Sequence, residues 1–426
     1  MKRVTVGFAG MTHLGVVSAA AAASKGFRVM GYDADPGVIG RLAKGMPPVV
    51  EPDLDRLLAR RAKAMSFSTD VGALVACDVV YISADVPTDD EARSDLAPIR
   101  ALIGRVAPVL NKRAVLVVLC QVPPGFTRGL NIPPSRLYYQ VETLVFGRAV
   151  ERATRPERFI VGCADPSKKL PPAYAALLGA FKCPILPMRY ESAELAKISI
   201  NFCLVASVSV ANTLAEVSEA IGADWSEIAP ALKLDARIGP HAYLSPGLGI
   251  AGGNLERDLR TVLNIAAEKG TDAGVVRAWL ANSAHRKDWT WRTLQTAVLA
   301  ANPDARVAVL GLAYKENTHS TKNSPSLALL AKLKGRAVAV HDPVVPASVV
   351  PWARGAPDPL AAAQGADVLV IATPWPQYRK LKPARLKAAL AGRVILDPYR
   401  VLDGRACARA GLVYHTLGMP ALAPAA

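Results

Sequence analysis

Apolar residues in the first third of the chain fall in short unbroken runs instead of alternating with polar ones. Residues 4–8, 27–32, 79–83 and 114–119 form such runs, each bounded by charged or turn residues, and 159–161 adds another. Runs of this length read as strands buried on both faces, the pattern of a parallel sheet. An alanine-rich stretch, 14–24, reads as a helix between the first two. The alternation returns after Asn302-Pro303-Asp304, with strand-like runs at 307–310, 337–341, 368–372 and 394–396. From Arg189 to Ile221 there is neither Gly nor Pro, with Pro187 just before and Gly222 just after as start and stop signals. At ~1.5 Å per residue such a helix would be about 50 Å long, which suits a connector between domains or a subunit interface. Phe202, Leu204, Val205, Val208 and Val210 give its middle more apolar surface than one small domain covers, so at least a dimer is expected. Helical character continues to about residue 295, and residues 419–426 read as a frayed tail. The expected architecture is α/β: two doubly wound parallel sheets joined by a central helical domain, with boundaries at 1–188, 189–300 and 301–426.

Length and composition agree with several packed domains. The chain has 426 residues, 51% apolar and 20% charged, which excludes a disordered protein. Lys plus Arg number 51 against 35 for Asp plus Glu, a net +16 that favours anionic partners. The basic residues are scattered and only 6% of the chain is aromatic, so phosphorylated small molecules fit better than a nucleic acid. Six cysteines without CxxC or Cys/His zinc spacing predict reduced thiols, a cytoplasmic location and no metal site. The N-terminal residues resemble a signal peptide in outline. Thr12 and His13 interrupt the apolar stretch, however, and Gly7, Gly10 and Gly15 suggest a strand-to-helix turn. No run reaches the ~18 continuous apolar residues of a membrane span.

That turn, Gly10-Met11-Thr12-His13-Leu14-Gly15, is followed by Asp33 at the end of the next strand. A dinucleotide site needs glycine for a tight turn, a small residue near the pyrophosphate and a helix start facing the phosphates. The acid then takes the ribose hydroxyls, and Asp33, with Asp35 beside it, predicts NAD over NADP. Thr12 stands where a second glycine is usual. Its side chain would either crowd the pyrophosphate or bond to it. His13 reads as a turn residue without a role.

Further along, ordered blocks appear: Glu51-Pro52, Val86-Pro87-Thr88, Val122-Pro123-Pro124-Gly125, Pro156-Glu157-Arg158 and Val161-Gly162. They continue with Ala193-Glu194-Leu195-Ala196-Lys197, Asn201, Asp235-Ala236-Arg237-Ile238-Gly239, Pro246-Gly247-Leu248-Gly249, Gly252-Gly253 and Asp258. The last are Gly311-Leu312-Ala313-Tyr314-Lys315, Ser324-Pro325, Asp342-Pro343, Thr373, Trp375, Asp397 and Arg400. In this order and over nearly the whole length, the chain resembles the UDP-glucose/GDP-mannose dehydrogenases. The resemblance implies an N-terminal Rossmann domain for NAD, a central helical dimer region, and a C-terminal Rossmann-like domain for a nucleotide sugar. It also implies a place in polysaccharide biosynthesis and oxidation of a sugar alcohol to a carboxylate in two NAD-dependent steps. A cysteine traps the intermediate aldehyde, giving it the nucleophile it needs before a second hydride can leave.

The resemblance assigns Lys197, Asn201, Asp258 and Glu142 to catalysis, and Thr88 and Gln121 to the cofactor together with Gly10, Thr12, Gly15 and Asp33. It assigns Arg237, Gly252, Gly253 and Lys315 to the sugar, with Arg237 serving the neighbouring subunit. Lys197 and Asn201, at i and i+4, share a helix face, although spacing alone also suits a solvated Lys beside a surface Asn. Asp258 alone also reads as an ordinary surface acid. The chain departs from the pattern at the chemistry. Asn254 occupies the cysteine position, Gln121 replaces a Thr, and Phe146 aligns with a second glutamate. His319 and Ser320 replace acids, and Lys322 replaces an Arg. An amide is no nucleophile at neutral pH. Cys203 is turned ~200° from Asn201 around the helix, and Cys120 should face away from Gln121 on its strand. A single two-electron oxidation, an epimerisation through a transient keto sugar, and a catalytically silent nucleotide-sugar-binding subunit are the readings left open.

Overall fold

The computed structural model describes residues 4–89 and 94–424. The chain divides into two compact units, one running to Ile200 and the other from Asn201 onward. The first holds strands β1 (Thr5–Ala9), β2 (Arg28–Tyr32), β3 (Met65–Ser68), β4 (Val79–Ile82), β5 (Val115–Val118), β6 (Leu137–Gln140), β7 (Phe159–Cys163) and β8 (Ile185–Arg189). They form one sheet in the order β3-β2-β1-β4-β5-β6-β7-β8. β4 and β5 are buried at every position and β1 at all but its first, which is why their sequences are unbroken apolar runs. The helix His13–Ser24 returns the chain from β1 to β2. Ten of its twelve residues are buried, and the small side chains of Ala19–Ala23 let it lie close to its neighbours.

The sheet is parallel except at one pair. β6 and β7 run antiparallel through Tyr139↔Gly162 and Gln140↔Val161. Their connection packs the helix Ala149–Thr154 against the helix His13–Ser24, and the chain re-enters the sheet from the end it left. β8 is an edge strand, so Pro187, which donates no backbone hydrogen bond, is accommodated within it. The long helix accordingly starts one residue later than expected, at Tyr190, and runs to Ile221.

In the second unit the helices Trp225–Leu234, Asn254–Lys269 and Gly274–Lys287 gather two small apolar clusters. One holds Val205, Leu259 and Val276, and the other Ala211, Ala215 and Trp225. A second sheet follows, with β9 (Val307–Leu310), β10 (Val338–His341), β11 (Arg354–Gly355), β12 (Val368–Ile371), β13 (Val394–Leu396) and β14 (Val413–His415). Its order is β11-β10-β9-β12-β13-β14, every pair parallel. Both sheets thus reverse direction beside their own first strand, at β1/β4 and β9/β12, the crevice where doubly wound folds bind ligands. The expected fraying begins later than residue 419, because Leu422 and Tyr414 exchange backbone hydrogen bonds of 2.8 and 2.9 Å. Residues 425–426 of that tail lie outside the described residues.

Candidate active site

The turn after β1 leaves no room for side chains at its two glycines. Gly10 has φ +93°, and a Cβ there would stand 2.6 Å from the Cβ of Ala84. A Cβ on Gly15 would come within 1.9 Å of the Gly10 carbonyl oxygen. Asp33 closes the turn: one carboxylate oxygen accepts the Met11 amide at 2.8 Å and the other the Asp35 amide at 3.0 Å. The residue stays half-buried, with capacity left for ribose hydroxyls. Asp35 caps the helix Pro36–Ala43 by accepting from the Gly37 amide at 2.7 Å. The Thr12 side chain is engaged within the protein. The hydroxyl lies 3.3 Å from the Ser83 carbonyl and accepts the Asp85 amide at 3.0 Å, tying the turn to the segment after β4. These residues fit a dinucleotide: a cramped glycine turn, a helix start, and an acid on the next strand. Thr88, bridged to Ser94, and Gln121 follow β4 and β5 at the same end of the sheet.

His13, expected to be idle, is buried at the start of that helix. Its Nε2 lies 3.1 Å from a Glu51 oxygen, and the Phe146 ring stacks on it at 4.1 Å between centroids. Glu51 also accepts the amides of Gly147 at 3.1 Å and Ala149 at 2.8 Å. The position expected to carry a second glutamate therefore covers a histidine with an aromatic ring. Glu142, on the same loop, faces Lys197 at 3.4 Å, and both side chains are largely shielded from solvent. Glu142 also accepts the Leu144 amide. Glu194 is fully buried and accepts the amides of Gly125 at 2.6 Å and Thr127 at 2.9 Å. Burial pushes its carboxyl pKa upward despite those bonds. Glu194 thereby ties the Ala193–Lys197 segment to the loop that follows Val122-Pro123-Pro124.

In the second unit Asp258 is buried, not a surface acid. It accepts the Asn201 amide at 2.5 Å and lies 3.7 Å from Arg257, itself buried. Asn254 opens the helix Asn254–Lys269 and is exposed, with Gly253 at the cap position. Gly252 has φ +77°, and a Cβ on it would meet the Tyr314 ring at 3.1 Å. Its amide donates to the Lys322 carbonyl at 3.1 Å. The 252–254 turn and the Tyr314-Lys315 segment therefore belong to one neighbourhood, with Lys315 at 5.7 Å from the Tyr314 ring centroid. The Arg237 side chain is 89% exposed and forks onto Asp235. Of the two alternative thiols, Cys120 is fully buried, and Cys203 is exposed on the long helix while Asn201 is buried.

Family models match three consecutive stretches of the chain. They are the NAD binding domain of the UDP-glucose/GDP-mannose dehydrogenase family over residues 4–178, its central domain over 191–284 and its UDP binding domain over 308–404. The chain belongs to the UDP-glucose/GDP-mannose dehydrogenase family. Its cofactor is NAD. The UDP-glucose 6-dehydrogenase TuaD of Bacillus subtilis is 28% identical over 444 residues, covering 99% of this chain and 94% of that protein. A UDP-glucose 6-dehydrogenase of Pseudomonas aeruginosa is also 28% identical, over 96% of each. A UDP-glucose dehydrogenase from Pyrobaculum islandicum matches 99% of this chain with a TM-score of 0.85 at 27% identity. A UDP-D-ManNAc dehydrogenase from Pyrococcus horikoshii, 24% identical, shares the fold with a TM-score of 0.84. Within the family's order, the glycine turn falls in the NAD binding domain, Asn254 in the central domain and Lys315 in the UDP binding domain.

Proposed function

We propose that this chain oxidises a nucleotide-activated sugar by a single two-electron step. The observation that carries the reading is Asn254, exposed at the first position of its helix where the resemblance calls for a thiol. NAD, when bound, accepts the hydride that leaves the alcohol carbon. The alcohol proton passes to solvent water, so the product is a carbonyl. Lys197, held by Glu142, supplies a positive charge for the oxygen as it loses that proton. Asp258, fixed by Asn201 and Arg257, supplies a second preorganised carboxylate. A further hydride would require water or a thiol to add to the carbonyl, and the Asn254 amide offers no covalent route.

Gly252, Gly253 and Lys315 are taken to hold the sugar nucleotide, with Arg237 contributed to a partner's site in a homodimer. The exposed side chain of Arg237 supports that assignment. The names of the UDP binding domain and of the relatives make UDP-glucose the first sugar to test. Six free cysteines support a reducing, cytoplasmic setting.

The test is a screen of UDP-, GDP- and dTDP-sugars with NAD, counting NADH and weighing the product by mass spectrometry. One NADH per sugar is expected, with a carbonyl that hydroxylamine traps. Two NADH with prompt uronate would overturn the single-step reading. An epimeric sugar without net NADH would mark an epimerase, and tight binding without conversion would mark a silent subunit.

A further inference from the structure

Asp85 lies on the segment leaving β4, and its carboxyl is directed at the start of the helix His13–Ser24. The Thr12 hydroxyl already accepts its backbone amide at 3.0 Å. The carboxyl itself faces the Thr12 hydroxyl and the backbone amide of His13. His13 is the first residue of the helix, so its amide is one of the donors left free at the positive end of a helix. Those donors are the ones a dinucleotide's pyrophosphate takes. A carboxylate of the same chain therefore stands where two phosphate charges have to sit.

We propose that Asp85 is a built-in competitor for the pyrophosphate of NAD, and that cofactor binding requires its negative charge to leave the helix start. The inference rests on the reading that NAD lies at the Gly10–Gly15 turn. Two titratable groups border Asp85: His13, whose Nε2 lies against Glu51 and which favours the charged carboxyl when protonated, and Glu142, paired with Lys197, which opposes it. The residue is open to solvent on one side, but protein atoms crowd the carboxyl. That crowding is the largest influence and raises its pKa above the ordinary carboxylate value, against the Thr12 and His13 hydrogen bonds. An incoming phosphate raises it further. Binding then takes up a proton, and affinity increases as pH falls through that raised range. The geometry also accounts for Thr12: its hydroxyl is what anchors the Asp85 segment to the turn, which glycine could not do.

The experiment is titration calorimetry of the full chain with NAD and with adenosine, which has the base and ribose but no phosphate. Asp85→Asn keeps the backbone bond to Thr12 and removes the charge. It should tighten NAD about tenfold, a modest share of what adverse charge juxtaposition costs, and leave adenosine unchanged. Asp85→Ser serves as a second variant with the same expected direction. Wild-type affinity should rise on acidification more steeply than that of Asp85→Asn. Unchanged or weaker NAD binding in both variants overturns the proposal, as does equal tightening of adenosine. Asp33→Asn separates the two levels. If it weakens NAD while the Asp85 variants fail to tighten it, only the competitor is refuted. If it leaves NAD untouched, the site assignment falls and the proposal falls with it.

Discussion

Asp33 and Asp342 end the second strand of their respective sheets and brace the turn after the first. Asp33 accepts the Met11 amide at 2.8 Å, and Asp342 the Leu312 amide at 2.6 Å. They differ in what remains. Asp342 also accepts from Ala313, Val344, Val345 and the Trp375 indole, so its lone pairs are filled. Although burial opposes ionisation, those backbone bonds hold its pKa below the usual carboxylate value. Asp33 has two such bonds and stays half-buried, able to take ribose hydroxyls. A 2′-phosphate would meet its charge instead. NADP should therefore bind at least about tenfold more weakly than NAD, about 1.4 kcal/mol, when the two dissociation constants are compared by calorimetry. Equal affinity would contradict the assignment of Asp33. The sequence made Asp33 visible through its spacing from a glycine turn, and Gly10 and Gly15 through their clustering. It could not reveal His13 as a buried partner of Glu51, because 38 residues separate them and only the fold brings them together.

Strands buried on both faces were legible as apolar runs, and β9 and β13 begin and end where the pattern puts them. Of the five strands that escaped, β11 and β14 are only two and three residues long and the other three have mixed composition. β3 is Met-Ser-Phe-Ser, β6 is Leu-Tyr-Tyr-Gln, and β8 contains Pro187. At β6 the polar end is satisfied inside the fold, where Gln140 accepts the hydroxyls of Tyr81 at 2.9 Å and Tyr174 at 3.0 Å. The long helix was legible by its lack of breakers, but its anchor was not. Glu219 accepts from Arg286 at 3.1 Å, the Trp289 indole at 3.0 Å and the Gly418 amide at 2.8 Å. Arg286 is completely buried and also faces Glu216 at 3.1 Å. Removing one partner from a buried cation is expensive, whereas replacing the whole set by apolar groups need not be. Glu219→Ala should destabilise the second unit by about 3 kcal/mol in chemical denaturation, and adding Arg286→Met should recover part of that loss. A cost under about 1 kcal/mol would mean that Glu216 alone suffices for Arg286.

At the scale of the whole molecule, the repeated strand order was hidden because pairing joins distant segments, while the α/β alternation that produces it was plain. One face of the long helix is apolar and uncovered within a single chain. Val210, Leu214, Val217 and Ile221 are 51%, 43%, 46% and 72% exposed. Their spacing of four, three and four residues puts them on one face of the long helix. By length and composition this helix could also cross a membrane. Yet its other positions in the same stretch include Asn212, Ser218, Glu216 and Glu219, engaged with the Gly247 amide, the helix's own backbone, His285 and Arg286. Those bonds hold it within the second unit as a packed helix with one uncovered apolar stripe, and such a stripe is suited to a second copy of the chain. Light scattering at micromolar concentration should report twice the 45.0 kDa of one chain. Val217→Glu places a charge in the centre of the stripe and should shift the protein to 45.0 kDa, with its circular dichroism preserved. If Arg237 serves the partner's sugar, the same variant should weaken nucleotide-sugar binding far more than NAD binding, and Arg237→Ala should reproduce that loss while the dimer persists. A monomeric wild type, or a Val217→Glu dimer, would place the interface elsewhere and return Arg237 to an ordinary surface pair with Asp235.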